Sequence, residues 1–200
     1  TGRGSHVSGI IAAAQNNNEG VTGVAPESEI VRLKVLGMPK KSSEYYSENI
    51  EMLIDAIDYI DSNNISIANM SIYWTGIDNT AQVELRENLE NASDTLFVVA
   101  AGNREHDLSD TSDPELNQYP ALSNTSNMIV VANITSDGSL ADNSNFGGPT
   151  HLGAPGTDIY STYPNTYAYM SGISMAAPHV TGVAALLKSY YHGLSVQELK

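Results

Sequence analysis

The sequence predicts an α/β fold of three layers, a mainly parallel sheet with helices packed on both faces. Three observations predict it. Short apolar runs of strand length alternate with stretches whose apolar residues recur at helical spacing. The run Thr95-Leu96-Phe97-Val98-Val99-Ala100-Ala101 is apolar almost throughout, as a strand covered on both faces is. The 200 residues, 41% of them hydrophobic, suffice for one domain with its own core.

Taken in order, Ile30 to Leu36 reads as a strand, and residues 45–63 as a helix carrying Ile50, Leu53, Ile54, Ile57, Tyr59 and Ile60. Asn63-Asn64 ends that helix. Ile65 to Ser71 is the next strand, residues 79–91 the next helix, with Val83, Leu85 and Leu89, and then comes the 95–101 strand. Residues 104–118, with Asp107, Asp110, Asp113 and Glu115, form an acidic loop. Met128 to Asn133 is a further strand. A last helix starts around Ser174 and holds Val180, Val183, Ala184, Leu186 and Leu187. Ligands of parallel sheets bind beyond the carboxyl ends of the strands. Ser71-Ile72-Tyr73 and Gly102-Asn103 follow directly on strands and so fall on the functional edge.

Nine basic against 23 acidic side chains give a net charge of −14, which argues against nucleic acid or an anionic membrane as partner. The absence of cysteine excludes disulfides and thiolate chemistry. No apolar run is long enough to cross a bilayer, and no signal peptide is visible.

A serine hydroxyl needs a base to take its proton, and a helix N-terminus favours the negative charge that develops. Ser174 fits that placement: Gly172 precedes it, small residues follow, and Pro178 is tolerable near the first turn. Asn103 follows a buried strand through a glycine. Its amide reads equally as an oxyanion donor or as a turn residue.

Gly172-Ile173-Ser174-Met175-Ala176-Ala177-Pro178-His179-Val180 resembles the serine motif of the subtilisin-like protease family, G-T-S-M-A-x-P-H-V, with Ile173 for the usual Thr. Val99 to Asn103, Asn69-Met70-Ser71, Tyr119-Pro120-Ala121 and Ala154-Pro155-Gly156 resemble further landmarks, in family order and along essentially the whole chain. The resemblance implies a subtilisin-like fold and one peptidase domain over residues 1–200, incomplete at both termini; Leu194 to Lys200 resembles the start of a helix that family members continue. It implies peptide hydrolysis through an acyl-enzyme on Ser174, with Asn103 as the oxyanion donor. A peptide or protein substrate would lie along Ser71, Ile72, Tyr73 and Gly102. An extracellular or cell-surface location is the family expectation.

One position departs sharply. The family's histidine motif, H-G-T-H-V-x-G, corresponds to Arg3-Gly4-Ser5-His6-Val7-Ser8-Gly9, so Arg3 stands where the catalytic base belongs. Arginine stays protonated and cannot accept the serine proton. His6 matches the second histidine, whose ordinary role is that of a buried support. The family's acid precedes the histidine, and only Thr1 and Gly2 precede Arg3. The missing acid says nothing about the parent protein, but Arg3 is a substitution inside the motif, and the alternative reading it supports is a pseudoprotease, a peptide-binding module. Tyr73 and Trp74 stand where the family has glycines, and they fill the substrate channel, stack on a substrate or cover the sheet edge. No cofactor is required. Ala14 to Val21 resembles a calcium loop, which implies a structural calcium ion held by the Asn17 side chain and the carbonyls of Gln15, Glu19 and Val21.

Overall fold

The computed structural model describes residues 2–36 and 44–200. Helix α1 (Gly2–Ala12) leads into the 14–22 loop, and α2 (Glu44–Ser62) follows. Asn64 takes the left-handed conformation (φ 53°) that closes α2, and the Ile65 N–H returns to the Ile60 carbonyl at 3.0 Å. Next come β1 (Ile67–Met70), α3 (Asn79–Asn91), β2 (Leu96–Ala100) and β3 (Met128–Ile134). Asp78 caps α3, its carboxylate accepting from the Ala81 N–H at 2.9 Å. Then follow β4 (Leu152–Pro155), the antiparallel hairpin β5 (Ile159–Tyr163) and β6 (Thr166–Met170), α4 (Ile173–Tyr190) and the short α5 (Val196–Leu199).

The sheet runs β1-β2-β3-β4, all pairs parallel. Alternation along the strands divides the core in two. Met70, Phe97, Val99, Met128 and Val130 face Leu53 and Ile57 of α2 and Leu85 and Leu89 of α3. Leu96, Val98, Ala100, Ile129 and Val131 face Ile173, Ala176, Ala177 and Ala184 of α4. All five residues of β2 are buried, as its apolar run requires. The three-layer α/β architecture is as the sequence predicts.

Two local expectations are corrected. Residues 30–36 are not a strand: no described strand pairs with them, and Ile30, Val31 and Leu36 are exposed while Leu33 and Val35 pack on the α2–α3 core. The β5–β6 hairpin and β4 were not expected. The hairpin lies over α1, where Ser161 Oγ donates to the His6 carbonyl and Thr162 Oγ1 to the Ser5 carbonyl, both at 2.8 Å.

Candidate active site

The N-terminus of α4 lies at the carboxyl edge of the sheet and is fastened there by residues that follow three different strands. The Gly172 N–H donates to the Gly156 carbonyl, after β4, at 2.7 Å. The Ile173 N–H donates to Asn103 Oδ1, after β2, at 3.1 Å. Ser71, after β1, exchanges two bonds with Ser174: its Oγ donates to the Ser174 carbonyl at 3.0 Å, and Ser174 Oγ donates to the Ser71 carbonyl at 3.2 Å. Gly172 has φ 135°, and a Cβ there would stand 3.3 Å from Asn103 Oδ1, so a side chain would crowd the junction.

Pro178 explains the first Ser71 bond. The helix starts at Ile173, so Pro178 lies in its interior, not in the first turn as the sequence reading has it. A helical residue at 178 would donate to the Ser174 carbonyl, four residues back; proline has no N–H. The Ser71 hydroxyl supplies the missing donor. It in turn accepts from Asn69 Nδ2 at 2.9 Å, and Asn69 Oδ1 accepts from Thr181 Oγ1 at 2.9 Å.

Asn103 is oriented without ambiguity. A backbone N–H can only donate, so the amide atom facing Ile173 is the oxygen, and Nδ2 is left free to donate elsewhere. The Met175 N–H is taken by the Gly172 carbonyl, whereas the Ser174 N–H has no partner among the described residues. Two unclaimed donors and a buried hydroxyl thus meet at the start of an 18-residue helix, whose dipole favours negative charge there.

The remaining expected residues take clear places. Ile72 packs on the α2–α3 side of the sheet and Tyr73 on the α4 side, so their side chains serve the two cores. Trp74 is buried in the core and its backbone exchanges two 2.9 Å bonds with Tyr119; it covers the sheet and does not fill a channel. Ile173 is fully buried against the sheet. Gly102 has φ 111° and lies against Gln118 and Asn145.

Arg3 is exposed in the first turn of α1 and has no hydrogen bond or ion pair among the described residues. His6 is fully buried, and its Nε2 donates to the carbonyls of Ile159 and Ala168, both at 3.0 Å. It braces α1 against the hairpin. His106 bonds the Asp110 carbonyl, and His179 Nδ1 the Met175 carbonyl at 2.8 Å. His151 Nδ1 accepts from the Val130 N–H. Among the described residues no histidine bonds Ser174. Burial pushes the His179 imidazole below its ordinary range, against the opposing pull of the Met175 and Pro155 carbonyls.

The 14–22 loop curls round an open hollow, with Asn16, Asn18 and Gly20 in left-handed conformations and Asn17 Oδ1 accepting from the Glu19 N–H at 3.0 Å. Gln15, Asn17, Glu19 and Val21 would offer four oxygens, short of the six to eight that calcium takes. No three acidic or histidine side chains cluster to hold a metal among the described residues. By itself the loop does not complete a calcium shell.

A family model, the subtilase family, matches residues 1–200. This chain belongs to that family. The thermostable alkaline protease of Halalkalibacterium halodurans is 38% identical over the whole chain, which covers 50% of that protein. The major intracellular serine protease of Bacillus subtilis is 41% identical over 94% of the chain and 56% of its own length. A cold-adapted subtilisin-like serine proteinase has the same fold, with a TM-score of 0.78 at 31% identity; the match covers all of this chain and 65% of that one. The subtilase chain described here therefore spans about half the length of those curated relatives.

Asn69, Thr181 and Asn145 were missed by sequence reasoning. Asn69 and Thr181 carried a usable signal, as polar residues within otherwise apolar stretches of a strand and a helix. Asn145 carried none, because a loop asparagine reads as a turn residue.

Proposed function

We propose that this subtilase chain carries the nucleophile and oxyanion half of a serine endopeptidase site. Ser174 is the nucleophile that would form the acyl-enzyme. The Ser174 N–H and Asn103 Nδ2 are the donors for the carbonyl oxygen as it becomes an oxyanion. The observation that carries this reading is the pinning of Asn103 Oδ1 by the Ile173 N–H at 3.1 Å, which turns the amide nitrogen into a fixed, unclaimed donor beside Ser174. A peptide substrate would lie along the backbone of Ser71, Ile72 and Tyr73, with Gly102 opposite.

Arg3 favours a second reading, a peptide-binding pseudoprotease. With a permanent cation in place of the base, Ser174 Oγ keeps its proton on the Ser71 carbonyl. A fluorophosphonate probe separates the two. In the full-length protein, labelling at Ser174 supports the endopeptidase, and no labelling leaves the binding module. The chain as given is expected not to turn over a peptide substrate.

A structural calcium ion at Gln15, Asn17, Glu19 and Val21 belongs to this proposal only where further oxygens complete the shell. The charge of −14 is the support for excluding nucleic acid. No described helix is long and apolar enough to cross a membrane. An extracellular or surface location follows the family expectation, although the Bacillus subtilis relative is named an intracellular protease. Cell fractionation decides between them.

A further inference from the structure

Asn145 is fully buried, and every hydrogen bond it makes to the segment carrying Asn103 goes to a neighbour of Asn103 and not to Asn103 itself. Its N–H donates to the Gly102 carbonyl at 2.9 Å, and its Nδ2 to the Ala101 carbonyl at 3.0 Å. Its Oδ1 accepts from the Arg104 N–H at 2.9 Å and the His106 N–H at 3.1 Å. Both lone pairs of one oxygen are used, and the clamp closes on both sides of Asn103.

The clamp takes over where the sheet stops. The Ala101 N–H makes the last rung to β3, donating to the Val131 carbonyl at 2.9 Å. Beyond it the chain bends through Gly102 (φ 111°) and Glu105 (φ 52°), conformations that no ladder can support. Asn145 is itself tied to the sheet: Ser144 Oγ donates to the Asn145 carbonyl at 3.0 Å and accepts from the Asn133 N–H of β3 at 2.9 Å. Gln118 is the other buried amide against Gly102, yet neither of its side-chain polar atoms has a hydrogen-bond partner among the described residues. The side-chain hold on this turn is Asn145's.

We propose that Asn145 is a positioning residue for the Asn103 amide, transmitting the register of β2 and β3 to the donor that faces Ser174. Its catalytic meaning rests on the proposed role of Asn103; the positioning itself does not.

Amide hydrogen exchange on this chain tests it without any need for turnover. The reporter is the Ile173 N–H, whose acceptor is Asn103 Oδ1. In Asn145→Ala, Ile173 is expected to lose about tenfold in protection, equivalent to about 1.4 kcal/mol, while Val98 and Val130 in the sheet keep theirs. In an Asn103→Ala background, where Ile173 has already lost its acceptor, adding Asn145→Ala is expected to change Ile173 no further. Should Asn145→Ala fail to fold, Asn145→Asp carries the test. It keeps the acceptor for Arg104 and His106 and loses the donor to Ala101, so a smaller loss at Ile173 is expected. Unchanged Ile173 protection in the folded variant, equal losses at Val98 and Val130, or an undiminished effect in the Asn103→Ala background would each overturn the proposal. A failure of fluorophosphonate labelling, by contrast, bears on catalysis and leaves the exchange result intact.

Discussion

Replacing Ser71 with alanine removes the donor that serves the Ser174 carbonyl in place of the N–H that Pro178 lacks. It also strips Asn69 Nδ2 of its acceptor. Ser71 and Ser174 are 8% and 6% exposed, so water does not readily replace the bond between them. An orphaned buried carbonyl costs about 1–3 kcal/mol and the half-buried Asn69 amide adds less, which sets the loss at about 1–4 kcal/mol. Urea denaturation at constant m measures it. The mechanism is isolated by repeating the substitution in Pro178→Ala, whose new N–H at position 178 serves the Ser174 carbonyl. There the carbonyl's share of the cost is expected to vanish and the Asn69 share to remain, a coupling of about 1 kcal/mol or more in the double-mutant cycle. A Ser71→Ala cost that is the same in both backgrounds would refute the idea that Ser71 stands in for the missing helix bond.

Stability is expected to fall as pH drops below about 6.5, because the His179 pKa is depressed in the folded chain, so the unfolded chain takes up its proton first. The loss continues until pH passes below the depressed folded value, and His179→Gln should flatten the urea midpoint across that window. Gly172→Ala is expected to cost about 1–3 kcal/mol from its φ of 135° alone, and to raise exchange at Ile173 by crowding Asn103. Asp78→Ala should cost about 1 kcal/mol through loss of the α3 cap, with thermal unfolding as the readout. Isothermal titration of this chain with calcium is expected to show no tight binding, since the 14–22 loop offers too few oxygens; a stoichiometric high-affinity isotherm would contradict that count.

What could be read in the sequence follows from how much each element depends on its neighbours. Strands β1, β2 and β3 and helices α2 and α3 declare themselves by local pattern, because burial on one or both faces writes an apolar code into each segment. β4 contains Gly153 and Pro155, which argue against a strand; it forms because β3 offers a free edge in register with it. The hairpin is rich in tyrosine and turns at Pro164-Asn165, where Asn165 adopts φ 60°. Its inward face is recognised only once α1 lies beneath it. Residues 30–36 fail for the converse reason, a strand-like pattern with no paired neighbour. At the candidate site, Ser174 is singled out by its place at a helix start, whereas Asn103, which reads equally as a turn residue, is singled out only by the family resemblance. Asn145 is not, since its work consists of bonds to residues some forty positions away.

Among the described residues, the hydrogen bonds that place Ser174 and Asn103 come from Ser71, Gly156, Asn145 and α4 itself. Helix α1 carries Arg3, and its polar ties run to the hairpin through His6, Ser161 and Thr162 and to the N–H groups of Val24 and Ala25 through the Ile10 and Ile11 carbonyls. The segment proposed to carry the oxyanion donors and the helix that carries Arg3 are thus held by separate sets of hydrogen bonds among the described residues, so on the proposed reading an arginine at position 3 leaves the first set without a broken link. Preorganised donors do not need a base to bind a carbonyl oxygen; only the proton transfer does. On the pseudoprotease reading, in which the full-length protein does not label, Arg3→His is therefore expected to bring fluorophosphonate labelling to Ser174 without altering Ile173 exchange, because nothing on the Asn103 side has to move.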